Sequence, residues 1–354
     1  MSRNVMPVTY PATMLLLLTM CVPDYCHAEV EESVRLERRL GVMGTTLVIT
    51  VDAVDRATAL AASERALSAL ETTEHRLSTW KTGTELGRLN HNDRGRPFDL
   101  SDKLAKELHA VRHWWRETDG AFDPAIGALV SAWGLRTGGR RPVKSEIQKA
   151  LESCGMLYMD FNGRTASRLR SGLQIEEGGF GKGAGIDSAM EAVRGEGVYA
   201  ASIDLGGQIA VQSSRKPMEI GLADPRRRDS MVIKLSINEG SLATSGNSER
   251  GIEVDGVSYS HILDPRSGFP APDFGTITVF ADDSLTADCL STGLFVMGPE
   301  SAIEWVSCRS GIEAVVLQTS KEGIRARITS GLADQILDVY ESVNVEIIPS
   351  RESR

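Results

Sequence analysis

Val198-Tyr199-Ala200-Ala201-Ser202-Ile203-Asp204-Leu205-Gly206-Gly207-Gln208-Ile209-Ala210-Val211 reads as strand, turn and strand, because two runs of strand-forming residues flank a Gly-Gly pair. The pattern persists on both sides. Asn162-Gly163 and Ser171-Gly172 are hairpin signals upstream, and strands are expected downstream at Met231 to Ile237, Val257 to Leu263, Thr276 to Phe280 and Glu313 to Gln318, with a hairpin near Glu322-Gly323. Before Gly155 the spacing is helical instead. Leu60, Ser63, Leu67 and Leu70 share one face of a helix from Asp55 to about His75, after a strand at Gly44 to Asp52. Ser101 suits the N-cap of a second helix carrying Leu104, Leu108, Val111 and Trp115, closed by Gly120. Pro124 opens a short helix ending near Gly134, and Ser145 caps another through about Ser153. Later helices carry Ile186, Met190 and Val193, then Leu285 to Met297 with an apolar stripe of Leu290, Leu294 and Met297, then Ala302 to Cys308. Helices first and hairpin-linked strands later predict an α+β fold rather than a doubly wound sheet.

The 354 residues, 41% hydrophobic and 25% charged, allow one large or two moderate domains. A net charge of −9 argues against a nucleic-acid partner, which needs a clustered basic footprint. The apolar run Ala12 to Val22, with Cys26-His27-Ala28 before Glu29, reads as a signal peptide over 1–28, which places the mature chain in the periplasm. Lipid anchoring at Cys21 is the secondary reading, since Met20 is bulky where a lipobox has a small residue. The folded domain is expected over 29–348, with a frayed tail at 349–354. Cys154, Cys289 and Cys308 lack Cys-x-x-Cys spacing and are expected as buried thiols, with one disulfide among them possible.

Two segments carry chemistry. In Asp288-Cys289-Leu290-Ser291-Thr292, helical spacing sets the oxygens of Asp288, Ser291 and Thr292 on one face, where a small divalent cation can sit. Ser260-His261-Ile262-Leu263-Asp264-Pro265 offers a histidine, at the end of a strand, for proton transfer. Taken singly, capping explains the aspartate and a structural hydrogen bond explains the histidine. A candidate phosphate site lies in Glu176-Glu177-Gly178-Gly179-Phe180-Gly181-Lys182-Gly183-Ala184-Gly185, a glycine run entering a helix, which a tight strand-to-helix turn with a solvated Lys182 explains as well. It is not a P-loop, and Gly179 to Ala184 with Asp204 also fits a dinucleotide fingerprint. Gly120-Ala121-Phe122-Asp123-Pro124 offers a ring and a carboxylate before a helix, where a planar heterocycle can be gripped, although Asp123 also suits a cap.

These blocks, in this order, together with Met43-Gly44-Thr45-Thr46, Ser78-Thr79-Trp80, Trp133-Gly134, Gly181-Lys182-Gly183-x-x-x-Asp187, Asp204-Leu205-Gly206-Gly207 and Thr244-Ser245-Gly246, resemble the ApbE-type FAD:protein FMN transferases over about Gly41 to Gly298. The resemblance implies an ApbE-like fold, with mixed or antiparallel strands, flanking helices and FAD in a cleft between two subdomains. It implies Mg2+, FAD as substrate, and transfer of FMN to a Thr or Ser of a partner redox protein with release of AMP. Carried over residue by residue, FAD contacts fall on Met43, Trp80, Ala121, Phe122, Asp123, Glu176, Lys182 and Leu263. Metal ligation falls on Gly179, Asp288 and Thr292 with Ser291 beside them, and His261 accepts the hydroxyl proton. Glu176 stands where the family often has Asp, Trp80 where Tyr is common, and Ser248 where an aromatic often stands. Other readings are an FAD pyrophosphatase, a non-catalytic flavin carrier, and a Rossmann-type oxidoreductase using the Gly179 to Ala184 loop.

Overall fold

The computed structural model describes residues 33–351 except 82, 248–250 and 255. The 1–28 leader and Ser248 therefore lie outside the described residues. From Ser33 on, the chain forms one compact unit. Strands β1 (Val34–Val42) and β2 (Thr45–Ala53) form a hairpin turned by Met43 and Gly44, both at positive φ. Helices α1 (Arg56–Leu77) and α2 (Glu85–His91), strand β3 (Phe98–Asp99) and helices α3 (Asp102–Glu117), α4 (Gly127–Ala132) and α5 (Lys144–Leu151) follow. Next come β4 (Met159–Asn162), β5 (Thr165–Arg168), α6 (Gly181–Val193), β6 (Val198–Leu205) and β7 (Gln208–Ser213). The strand-rich half holds β8 (Met218–Asp224), β9 (Arg227–Ile237), β10 (Glu239–Gly246), β11 (Ile252–Val254), β12 (Val257–Tyr259) and β13 (Gly275–Ala281). Helices α7 (Ser284–Met297) and α8 (Pro299–Ser307), then β14 (Ile312–Ser320), β15 (Gly323–Thr329), β16 (Ile336–Val339) and β17 (Val343–Ile348), complete the chain.

The main sheet runs β1-β2-β6-β7-β10-β13-β14-β15-β17, antiparallel except for the parallel β15–β17 pair. The hairpin across Gly206-Gly207 is its β6–β7 pair, in register from Leu205–Gln208 outward. Strand periodicity sends alternate side chains to opposite faces. Ala314 and Val316 meet the helical layer through Leu290, Leu294 and Val306, while Val315 and Leu317 meet a small β16-β9-β8 sheet. A third core joins α2, α3 and the β3-β5-β4 sheet to Phe180 and Ala184, whereas Ile186 and Ala189 of α6 belong to the core against β2 and β6. Helix α6 thus straddles two cores, and the glycine run lies at their seam. Among the described residues, no helix is long and apolar enough to cross a membrane.

The mixed α+β architecture agrees with the expectation, and several details are corrected. Leu60 is exposed and Leu67 half-buried; with Ser63 and Leu70, as expected, α1 buries Ala59, Ala62 and Ala66, whose small side chains let it lie close to α6 and the sheet. Helix α5 starts one residue before Ser145, with the Val143 N–H donating to Glu146 at 2.9 Å. Ser171-Gly172 is a turn without paired strands, and the strand expected through Leu263 stops at Tyr259, so His261 sits in the loop beyond. Helix α7 is buried nearly all round rather than along one stripe, being sandwiched between sheet and helices. The tail folds back as far as Arg351, whose N–H donates to the Ser307 carbonyl at 2.6 Å. All three cysteines are free thiols; Cys154 and Cys289 are buried, but Cys308 is exposed.

Candidate active site

The site is built around the crossing of α6 and α7. Two carboxylates hold the start of α7. Asp283 accepts from the Thr286 N–H at 2.7 Å, and Asp187 of α6 accepts from Ser284 and Leu285 at 2.6 and 3.0 Å. Together they satisfy three of the helix's unpaired donors. Burial pushes Asp187 upward in pKa, and those N–H bonds oppose the shift. The helices touch at Gly183, where an added Cβ would lie 2.3 Å from the Ser284 carbonyl oxygen, so no larger residue fits. The Gly183 N–H donates to Asp288 Oδ2 at 2.9 Å, orienting a carboxylate that is only 4% exposed.

One turn along α7, Thr292 faces the glycine run: a Cβ on Gly179 would lie 3.3 Å from Thr292 Oγ1. Thr292 thus meets the glycine run at Gly179, and Asp288, one turn earlier, meets it at Gly183. Ser291 has other partners. Its hydroxyl donates to the Asp288 carbonyl at 3.0 Å and accepts from Ser245 Oγ at 2.9 Å, which turns it toward β10. The Ser291 and Thr292 hydroxyls thus meet different partners, β10 for the first and the glycine run for the second. Among the described residues no three His, Cys, Asp or Glu side chains cluster as a metal site. One buried carboxylate, one hydroxyl and one glycine carbonyl form a hard-oxygen set, which suits Mg2+ completed by water and phosphate oxygens.

Above the glycine run sits Met43. A Cβ on Gly185 would lie 3.3 Å from its Sδ, and one on Gly181 would lie 3.8 Å from its Cε. Lys182 lies near Asp204, whose pKa burial raises and whose charge Lys182, Arg228 and Arg39 favour. Asp204 lines a cavity of about 470 Å³ with Thr45, Gly207, Thr244 and Thr278 on the sheet face away from α7.

Across the seam, Trp80 is 66% exposed, and the Arg136 guanidinium lies over its ring, 4.6 Å from the centroid. Arg136 also donates to Glu176 Oε2, to Thr79 Oγ1 and, at 2.9 Å, to the Thr79 carbonyl. Thr79 in turn binds Glu177 through its N–H at 3.0 Å and through its hydroxyl. Arg136 is absent from the sequence-based set: it lies in the loop after Trp133-Gly134, and no spacing rule links a loop arginine to a glutamate forty positions away.

The remaining expected contacts face inward. Phe122 is 1% exposed and packs on Gly179 and Gly293, so its ring is wedged between the glycine run and α7. The Asp123 carboxylate accepts from Ala125 at 2.8 Å and Met156 at 2.9 Å, so it ties two loops together and does not cap α4, whose N-cap is Ile126. Ala121 is buried against α7, and Leu263 packs in the cluster of Trp133. These residues therefore form the walls of the site. His261 is half-buried; the preceding Ser260 donates to Asn247, which directly follows β10, the strand whose Ser245 reaches Ser291. The His261 loop and helix α7 are thus tied to the same strand end.

The chain matches the ApbE family over residues 43–316. It is 28% identical over 299 residues to the FAD:protein FMN transferase of Treponema pallidum, covering 78% of this chain and 81% of the relative. It is 28% identical over 270 residues to the FAD:protein FMN transferase of Vibrio cholerae, covering 74% and 80%. The crystal structure of the ApbE protein from Thermotoga maritima superposes with a TM-score of 0.73 at 27% identity, over 80% of this chain and 94% of that one. The glycine run against the Asp288 helix, and a family match running from the β1–β2 turn into β14, lead to one assignment: this chain belongs to the ApbE family.

Proposed function

We propose that the chain is an FAD:protein FMN transferase that moves the FMN half of FAD onto a Thr or Ser hydroxyl of an exported redox protein and releases AMP. One observation carries this reading: Asp288 and Thr292, one turn apart on α7, face the glycine run that opens α6, at Gly183 and Gly179. The run lets backbone N–H groups approach a pyrophosphate, and the N-terminus of α6 favours its charge. Mg2+ held by Asp288, Thr292 and the Gly179 carbonyl supplies charge neutralisation at the pyrophosphate and at the departing phosphate. The acceptor oxygen forms a bond to the FMN phosphorus as the bond to the AMP oxygen breaks. His261 takes the hydroxyl proton. Lys182 steadies the phosphate charge, and Trp80 with Glu176 holds the far end of the substrate. The apolar leader at 1–28 supports action outside the cytoplasm, in the periplasm.

AMP formation distinguishes transfer from hydrolysis. With FAD, Mg2+ and an acceptor domain, AMP is expected only when acceptor is present, and Asp288→Ala should lower its rate at least a hundredfold. AMP formed as fast without acceptor would make water the acceptor and the chain a pyrophosphatase.

A further inference from the structure

The Trp80–Arg136–Glu176 cluster does more than mark an FAD contact. We propose that Arg136 is a positioning residue for the adenosine half of FAD: it backs the Trp80 ring against adenine and fixes the Glu176 carboxylate to accept both hydroxyls of the ribose diol. This rests on the flavin-transfer reading for the identity of the ligand.

The geometry carries the inference. Trp80 is the most exposed large apolar side chain among the described residues, and the guanidinium covers it at 4.6 Å. A cation behind an indole fixes the ring's plane and leaves an open face for a flat heterocycle. The same guanidinium donates to Glu176 and Thr79, so ring and carboxylate are held as one unit by a single planar fork. Glu176 is only partly exposed, and burial raises its pKa against the opposing Arg136 charge; the guanidinium pairs with one carboxylate oxygen, Oε2. An ionised carboxylate accepts and does not donate, so it selects paired hydroxyls rather than phosphate. In FAD only the ribose presents two such hydroxyls on a rigid ring, whereas the ribityl chain is acyclic.

The test uses the full chain with AMP, 2′,3′-dideoxy-AMP and FMN as probes, read by calorimetry and by quenching of Trp80 fluorescence, with Trp80→Phe as the assignment control. Arg136→Met should weaken AMP about tenfold, abolish the preference for AMP over the dideoxy analogue, and leave FMN affinity unchanged. Arg136→Lys, which keeps the charge and loses the fork, should retain stacking and lose most of the diol preference. Glu176→Gln should lose the same preference, and combining it with Arg136→Met should add little further. For FAD as substrate, KM rises and kcat holds within about twofold if the adenosine half is bound equally in ground and transition states. AMP affinity unchanged in Arg136→Met, or a loss falling on FMN instead, would overturn the proposal. Wild-type protein that binds AMP with this Arg136 dependence but transfers no flavin would preserve it and refute the transferase reading.

Discussion

Asp123 shows how a residue quoted for one task performs another. Burial pushes its carboxyl from the ordinary 3.8 up to about 6, against the pull of the Met156 and Ala125 N–H groups. The folded chain therefore binds this proton more tightly than the unfolded chain. The stability tied to it is full below about 3.8 and is lost as pH rises through about 6. Asp123→Asn has no such slope. Urea melts of both proteins should diverge in favour of wild type as pH falls from about 7 to about 4; parallel curves would contradict the burial argument. At this scale the sequence named Trp80 and Glu176, which meet through Arg136, and Gly179 and Thr292, which lie side by side. It could not show that the Phe122 ring, Asp123 and Leu263 turn inward, nor that Arg136 bridges Trp80 and Glu176, because those facts depend on packing between distant segments.

At the scale of elements, the α6–α7 crossing sets the site's precision. Gly183→Ala forces a Cβ against the Ser284 carbonyl, a backbone atom that cannot rotate away. The variant should lose about 2 kcal/mol in urea unfolding and weaken Mg2+ binding measured by calorimetry, since the Gly183 N–H also orients Asp288. An unchanged Mg2+ affinity would separate the crossing from the metal site. Asp187→Asn keeps the shape but loses the charge that caps α7, and should cost about 1 kcal/mol in the same melts; no loss would mean that Asp283 suffices as cap. Helix-cap and glycine signals made α3 and the end of α7 legible. The alanine face of α1 was misread through Leu60 because residue size, not hydropathy, decides how closely that helix approaches. Strand β1 was passed over, although its side chains alternate between half-buried and exposed, since arginines and a glutamate fill its outer positions.

For the whole molecule, the succession of helices and then hairpins was enough to give the α+β class, while the sheet order was not legible. Strand β2 pairs with β6 across more than a hundred intervening residues, and β15 lies parallel to β17; no local signal specifies either pairing. The β8–β9 hairpin leaves the main sheet to pair with β16, and so covers one face and bounds the cavity beside Asp204. The glycine run at 176–185 and helix α7, from the middle and last thirds of the chain, meet through such long-range packing. The most direct test of the account is the intact mass of an acceptor domain after incubation with FAD, Mg2+ and the mature chain. The account predicts a gain of one FMN on a Ser or Thr, lost on chelation of Mg2+ and in Asp288→Ala. An acceptor left unmodified by wild type, or labelled equally by Asp288→Ala, would contradict it.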